Sequence, residues 1–286
     1  MQYPLATRSC GNAGRSEIHH RGIGVTVAAA WVVVAALAAY PAGQAPAPIK
    51  EAVLGEVGEA TAEISTAELE QVLKTRSALV LDARPFEEFA VSHIPGAVNV
   101  AAKPDVPMSM YVSDVAEIGR LVKSDKTTSL VLYCNGPNCG KSKRLATELH
   151  TAGFTNVRRY QLGIPVWRAL GGICEIELAG LTRVLAADQT AVVIDSRDAA
   201  EFTAGSLHGA RNIPRSLVLD GKDVGEVKRA KDDGRLPMND HNTRIVVIGR
   251  DAAAAEYVAK ALTREAFHNV SYYSGTVDSL RGQVGR

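Results

Sequence analysis

Residues 133–142 read YCNGPNCGKS, directly after the apolar run SLVL and directly before KRLATELH, which has helical spacing. That order puts Cys134 at the end of a strand, Gly136 and Gly140 in a turn, and Lys141 and Ser142 at a helix start. The first backbone N–H groups of a helix have no intrahelical acceptor, and the macrodipole adds partial positive charge there. A loop of this kind can hold an anion, and a cysteine facing the same point has its reactive thiolate stabilised. Cys134 is therefore the candidate nucleophile. Asn135, Gly136, Asn138, Cys139, Gly140, Lys141 and Ser142 are the candidate substrate-binding residues, with Lys141 supplying charge and Ser142 capping the helix. A strand-end cysteine elsewhere is more often a small packing residue. The glycine turn and basic helix start weigh against that here. Cys139 has three readings that spacing does not separate: a reversible disulfide with Cys134, a pocket lining, or loop filler.

Neither a metal nor a cofactor is predicted. Two cysteines without a nearby His pair or a second CxxC make a poor zinc site. GPNCGKS ends like a phosphate-binding loop, but such a loop needs its first glycine where Asn135 stands.

The elements that must position the loop occur twice. STAELEQVLKTRSALVLDARPFEEFAVSHIPGAVNV is echoed by LAGLTRVLAADQTAVVIDSRDAAEFTAGSLHGARNI. Asp82, Arg84, Glu88, Phe89, Gly96, Ala97 and Asn99 match Asp195, Arg197, Glu201, Phe202, Gly209, Ala210 and Asn212 at one constant offset. Each copy alternates apolar strands with amphipathic helices, which implies βαβ units and a mainly parallel sheet covered on both faces. Ligands in such sheets bind where strands end and helices begin. After a spacer, the first domain is placed at 63–172 and the second at 173–286, with Gly171 and Gly172 forming so short a junction that the two should pack together. Cys174, beside that junction, reads as a packing residue.

The 286 residues are 46% hydrophobic with a net charge of +1, an ordinary balance for two globular domains. Scattered basic residues give no support for a nucleic-acid partner. At the N-terminus, Arg8, Arg15 and Arg21 precede IGVTVAAAWVVVAALAAY and then PAGQAPAPIK. Residues 1–48 therefore read as an export signal or as a membrane anchor, which places the rest in the periplasm or cell envelope.

These motifs resemble the rhodanese family. LVLDARPFEEFAVSHIPGAVNV is similar to its first signature, LVLYCNGPNCGKSKRLATEL to its active-site strand, loop and helix, and YQLGIPVWRALGG to its closing segment. The resemblance covers roughly residues 63–286 as two copies. It implies two three-layer α/β/α sandwiches and a sulfurtransferase that carries sulfane sulfur as a persulfide on Cys134. The substrates implied are a small sulfur-containing anion, such as thiosulfate, and a thiol or cyanide acceptor. Asp82, His93 and Trp167 fall on scaffold positions, and Arg84 on a position that both supports the loop and borders the substrate.

Two departures matter. The loop from Cys134 to Ser142 is two residues longer than the family's usual loop, which raises a phosphatase- or arsenate-reductase-like alternative. Gly140 stands where those phosphatases place arginine, and that counts against them. In the second copy Gly249 replaces the cysteine and Leu280 replaces Trp167, so that domain is expected to be inactive, a scaffold or a surface for a protein partner. A non-catalytic redox or persulfide-binding module using Cys134 and Cys139 is the remaining alternative.

Overall fold

The computed structural model describes residues 48–100 and 115–284. The first domain runs β1 (Ala62–Glu63), α1 (Thr66–Thr75), β2 (Leu79–Asp82), α2 (Phe86–Val91), β3 (Val98–Asn99), α3 (Val115–Leu121), β4 (Leu130–Tyr133), α4 (Gly140–Thr151), β5 (Val157–Tyr160) and α5 (Gly163–Ala169). The second repeats the plan with β6 (Cys174–Ile176), α6 (Leu178–Ala187), β7 (Val192–Asp195), α7 (Ala199–Ala204), β8 (Arg211–Asn212), α8 (Gly225–Asp232), β9 (Ile245–Ile248), α9 (Ala252–Arg264), β10 (Val270–Tyr273) and α10 (Val277–Val284).

Each domain holds a five-stranded sheet, in the orders β1-β5-β4-β2-β3 and β6-β10-β9-β7-β8. Every paired strand is parallel, so both units are α/β as the alternating pattern predicts. Side chains alternate across a strand, and here both faces are buried. On one face of β4, Val131 and Tyr133 pack with Leu69, Ile164 and Trp167. On the other, Leu130 and Leu132 pack with Ile118, Leu145 and Leu149. In the second domain Ile245 and Val247 join Val258 and Leu262, while Val246 and Ile248 join Leu181 and Leu280. The result is helix–sheet–helix layering in each copy, with β4 and β9 as the central strands.

Sequence reading takes the stretch before residue 63 as a spacer, but its end folds into the sheet. Ala62 and Glu63 pair in register with Arg158 and Arg159. A two-residue strand has no period from which it can be read. Ser65 then starts α1 with a capping box, its Oγ accepting from Glu68 N while the Glu68 carboxylate accepts from Ser65 N.

The two domains are packed together. His93 and Glu175 exchange backbone hydrogen bonds of 3.0 and 2.8 Å, joining the segment after α2 to β6. Gly180 lets α6 lie directly on α2, because a Cβ there would fall 2.0 Å from the Ala90 carbonyl oxygen. Gly180→Ala is therefore expected to destabilise the protein by about 1–3 kcal/mol through overpacking. A solvent-exposed helix would instead gain about 1 kcal/mol from the same change. A urea denaturation midpoint that rises in this variant would show the two helices apart.

Among the described residues no helix is long and apolar enough to cross a membrane. The export-signal or anchor segment lies outside the described residues, except for its last position.

Candidate active site

Cys134 follows β4 directly and is 1% exposed. Its carbonyl accepts from Ile164 N at 3.1 Å, which ties the strand end to the start of α5. Gly163, at φ +69°, makes this approach feasible, since a Cβ there would lie 2.3 Å from Gly136 N. Gly136 itself takes φ +115°, and Cys139 N donates to its carbonyl at 2.9 Å. The chain thus turns back on itself through Pro137 and Asn138 and returns Cys139 to Cys134. The two are joined as a disulfide, with Cα atoms 6.3 Å apart. Of the three readings of Cys139, the structure shows the disulfide.

The capping role expected of Ser142 is not found. The helix begins at Gly140, three residues earlier than that role requires, so Cys139 occupies the N-cap and makes no side-chain cap bond. Ser142 is buried and its Oγ donates to Gln161 Oε1 at 3.3 Å. Asn135, Asn138 and Gly140 are exposed around the loop, and Lys141 is half-buried at the start of α4.

Gln161 was not legible as a site residue, yet it anchors the loop. Its Nε2 donates to the carbonyls of Pro137 and Cys139 at 3.2 and 3.4 Å. Its Oε1 in turn accepts from Arg159 Nη1 at 3.0 Å. Arg159 is 1% exposed and also bonds Thr61 Oγ1 and Glu56 Oε2. Lys143 pairs with the same Glu56 carboxylate, which these hydrogen bonds hold below the usual carboxylate range. A polar chain therefore runs from the segment before β1, through a buried arginine on β5, to the loop that carries both cysteines.

On the other flank, Arg84 Nη2 bonds Asp82 Oδ2 at 2.5 Å and the Ser92 carbonyl at 2.6 Å. Burial alone would lower the Arg84 pKa, but the adjacent Asp82 carboxylate overrides it and the guanidinium is held above its usual range. Asn99 Nδ2 closes the turn by donating to the carbonyls of Asp82 and Arg84. Glu88, a repeat identity with no role assigned from sequence, accepts a hydrogen bond from Asn135 Nδ2. His93 is 2% exposed, stacked on Phe89, with Nδ1 donating to the Phe89 carbonyl and Nε2 3.7 Å from Glu175. It is placed at the junction of the domains. Trp167 Nε1 donates to the Ile173 carbonyl, and its ring fills the space over Gly172 that any Cβ would occupy. Cys174 is fully buried, and burial pushes its thiol up.

Arg84, Glu88 and Asn135 face Arg183, Val184 and Arg244 of the second domain across a cleft of about 790 Å³. Asn135 brings the loop to the edge of this cleft, beside Cys134.

The second copy keeps the frame and loses the chemistry. Asp195, Arg197 and Asn212 repeat the Asp82, Arg84 and Asn99 bonds, and Val277 N donates to the Gly249 carbonyl as Ile164 N does to Cys134. Glu201 binds Arg250 where Glu88 binds Asn135. At the end of β9, however, a Cβ on Gly249 would meet Ser196 Oγ at 2.5 Å, a hydroxyl held by the Ile248 carbonyl. Asp251 caps α9 by accepting from Ala254 N at 2.8 Å, so a carboxylate already fills the helix end where an anion would bind. Gly249→Cys is accordingly expected to confer no thiosulfate-dependent labelling on residue 249, and mass mapping of thiosulfate-treated Gly249→Cys/Cys134→Ser protein checks it.

Against known proteins, the rhodanese-like domain model matches residues 65–170 and again 181–282. A 108-residue stretch is 29% identical to the HTH-type transcriptional regulator Rv0324 of Mycobacterium tuberculosis, covering 38% of this chain and 42% of that protein. Among solved structures, a thiosulfate sulfurtransferase from Pseudomonas aeruginosa is 22% identical over 77% of this chain and 44% of its own, with a TM-score of 0.33. The 3-mercaptopyruvate sulfotransferase SseA from Escherichia coli is 21% identical over 76% of this chain and 98% of its own, also with a TM-score of 0.33. The chain thus spans less than half the length of the regulator and of the Pseudomonas enzyme. With two matches that together take in most of its length, each covering four of the five strands of one sheet, this chain belongs to the rhodanese-like domain family as a tandem pair.

Proposed function

We propose that the protein is a sulfurtransferase with one active site, at Cys134 in the first domain. The observation that carries this reading is the placement of Cys134 at the end of the central strand, in a loop closed onto the first turn of α4, within a rhodanese-like domain. Once the disulfide is reduced, the Cys134 thiolate attacks the outer sulfur of thiosulfate. The sulfur–sulfur bond of the donor breaks, sulfite leaves with the electron pair, and Cys134 carries a persulfide. The positive end of the α4 dipole stabilises the negative charge of both thiolate and persulfide. A thiol or cyanide then removes the outer sulfur and returns Cys134 to the thiolate. The second domain, blocked at Gly249, serves as the other wall of the cleft and as a surface for a protein partner. The N-terminal basic and apolar run supports export to the cell envelope, which fractionation of cells expressing the full chain tests.

The test of the sulfur chemistry is mass spectrometry of reduced Cys139→Ser protein, in which Cys134 cannot return to the disulfide, after thiosulfate, polysulfide or mercaptopyruvate. One added sulfur on the Cys134 peptide, absent from Cys134→Ser, is expected. No added sulfur with any of the three donors overturns the reading. The disulfide favours a second reading, in which Cys134 and Cys139 form a redox-sensing pair without turnover. Repeated transfer to cyanide by the reduced protein would exclude it.

A further inference from the structure

We propose that Cys139 is the resolving thiol of this site and that it turns the Cys134 persulfide into free sulfide. The inference rests on the sulfurtransferase reading and names the product of the same site. Its basis is the bond between Cys134 Sγ and Cys139 Sγ, which shows that the loop brings the second sulfur onto the inner sulfur of the would-be persulfide.

Which sulfur of a persulfide is attacked decides the outcome. Attack on the outer sulfur transfers it and frees Cys134. Attack on Cys134 Sγ expels the outer sulfur. An external thiol can choose either one, but Cys139 is held by its own turn. The 2.9 Å bond from Cys139 N to the Gly136 carbonyl and the bonds from Gln161 Nε2 to the Pro137 and Cys139 carbonyls fix the backbone of that turn. None of these bonds involves a cysteine sulfur, so reduction leaves them in place. Cys139 is also the N-cap residue of α4, the position at which a helix end favours the thiolate.

The step balances within the site and one added reductant. The Cys139 thiol loses its proton and attacks Cys134 Sγ. A new Sγ–Sγ bond forms, the bond from Cys134 Sγ to the sulfane sulfur breaks, and that sulfur leaves with the electron pair and the proton as hydrosulfide. Two cysteine sulfurs are oxidised to a disulfide while the sulfane sulfur is reduced to sulfide. A dithiol reductant then reopens the Cys134–Cys139 bond for the next cycle. Holding attacker and target in one loop gives this route the advantage of proximity over external thiols.

The experiment uses the full chain, reduced with dithiothreitol, freed of reductant without oxygen and given thiosulfate, with mercaptopyruvate as a parallel donor. Sulfide is trapped with a bimane and the loop peptide is mapped. About one sulfide per loaded chain and a new Cys134–Cys139 disulfide are expected. Cys139→Ser and Cys139→Ala are expected to hold the Cys134 persulfide and to release under about one tenth of that sulfide. A wild-type chain that holds its persulfide without sulfide release overturns the inference, as does release by both variants at the wild-type rate. Persulfide in the variants keeps the sulfurtransferase reading standing in either case. If neither wild type nor variants take up sulfur, both fall.

Discussion

Protein kept oxidised at Cys134–Cys139 is expected to transfer no sulfur from thiosulfate to cyanide, and reduction by a dithiol is expected to switch the activity on. A disulfide sulfur is not a thiolate, and the thiolate is the nucleophile. The loss should exceed about a thousandfold, the scale seen when an enzyme is deprived of its nucleophile. Cys139→Ser protein should need no reductant, because Cys134 has no other bonded partner, and Cys174, the free cysteine among the described residues, is buried on β6. The check is the rate of thiocyanate formation against dithiothreitol concentration for wild type and variant. Equal rates with and without reductant in the wild type would remove Cys134 from the chemistry. If the chain is exported, the dependence has a further consequence: an oxidising compartment holds the site closed unless a dithiol partner reaches it.

Much of this architecture was legible because the periodicities are strong. LVLD, LVLY, VVID and IVVI are short apolar runs buried on both faces, and the helices between them alternate apolar and polar sides. Other elements carried no readable signal. β1 is two residues long and α8, with its run of Lys, Arg and Asp, buries only a narrow stripe. α5 contains Pro165, which reads as a breaker but is tolerated in the first turn of a helix.

At the site, the strand–loop–helix order identifies the position of Cys134, and the repeat identities identify Asp82, Arg84 and Asn99 as a unit. The support behind the loop was hidden for a physical reason. The sequence does not say what Arg159 touches, and only folding shows that it is buried and bonded to Gln161 and Glu56. Ser142 was misplaced because sequence does not fix a helix start to one residue, and the chain enters the helix at Gly140. Gly249 raises a parallel point. Its identity announces that a nucleophile is missing, but only the Ser196 hydroxyl behind it shows that the space for one has been filled.

The duplicated Asp–Arg pair permits a comparison within one molecule. Arg84→Met removes the partner of Asp82, whose side chain is 0% exposed, and leaves it the Arg84 backbone N–H at 2.8 Å with the Tyr133 hydroxyl nearby. Breaking a buried pair by removing one member costs about 3–5 kcal/mol, because the remaining charge is stranded. Arg197→Met strands Asp195 less severely, since that carboxylate keeps both the Arg197 N–H and Ser206 Oγ, the latter at 2.7 Å. A retained hydrogen bond to a charged group contributes about 1.5–3 kcal/mol. Arg197→Met is therefore expected to be the milder change, by no more than that amount, since the Tyr133 hydroxyl beside Asp82 offsets part of it. The measurement is urea unfolding, with fluorescence of Trp167, the tryptophan in the core of the first domain, following Arg84→Met and circular dichroism following both variants. The order matters more than either value. If Arg197→Met proves as damaging as Arg84→Met, the Ser206 hydroxyl does not support Asp195, and the stability of each copy resides in the Asn99 and Asn212 turn bonds rather than in its ion pair.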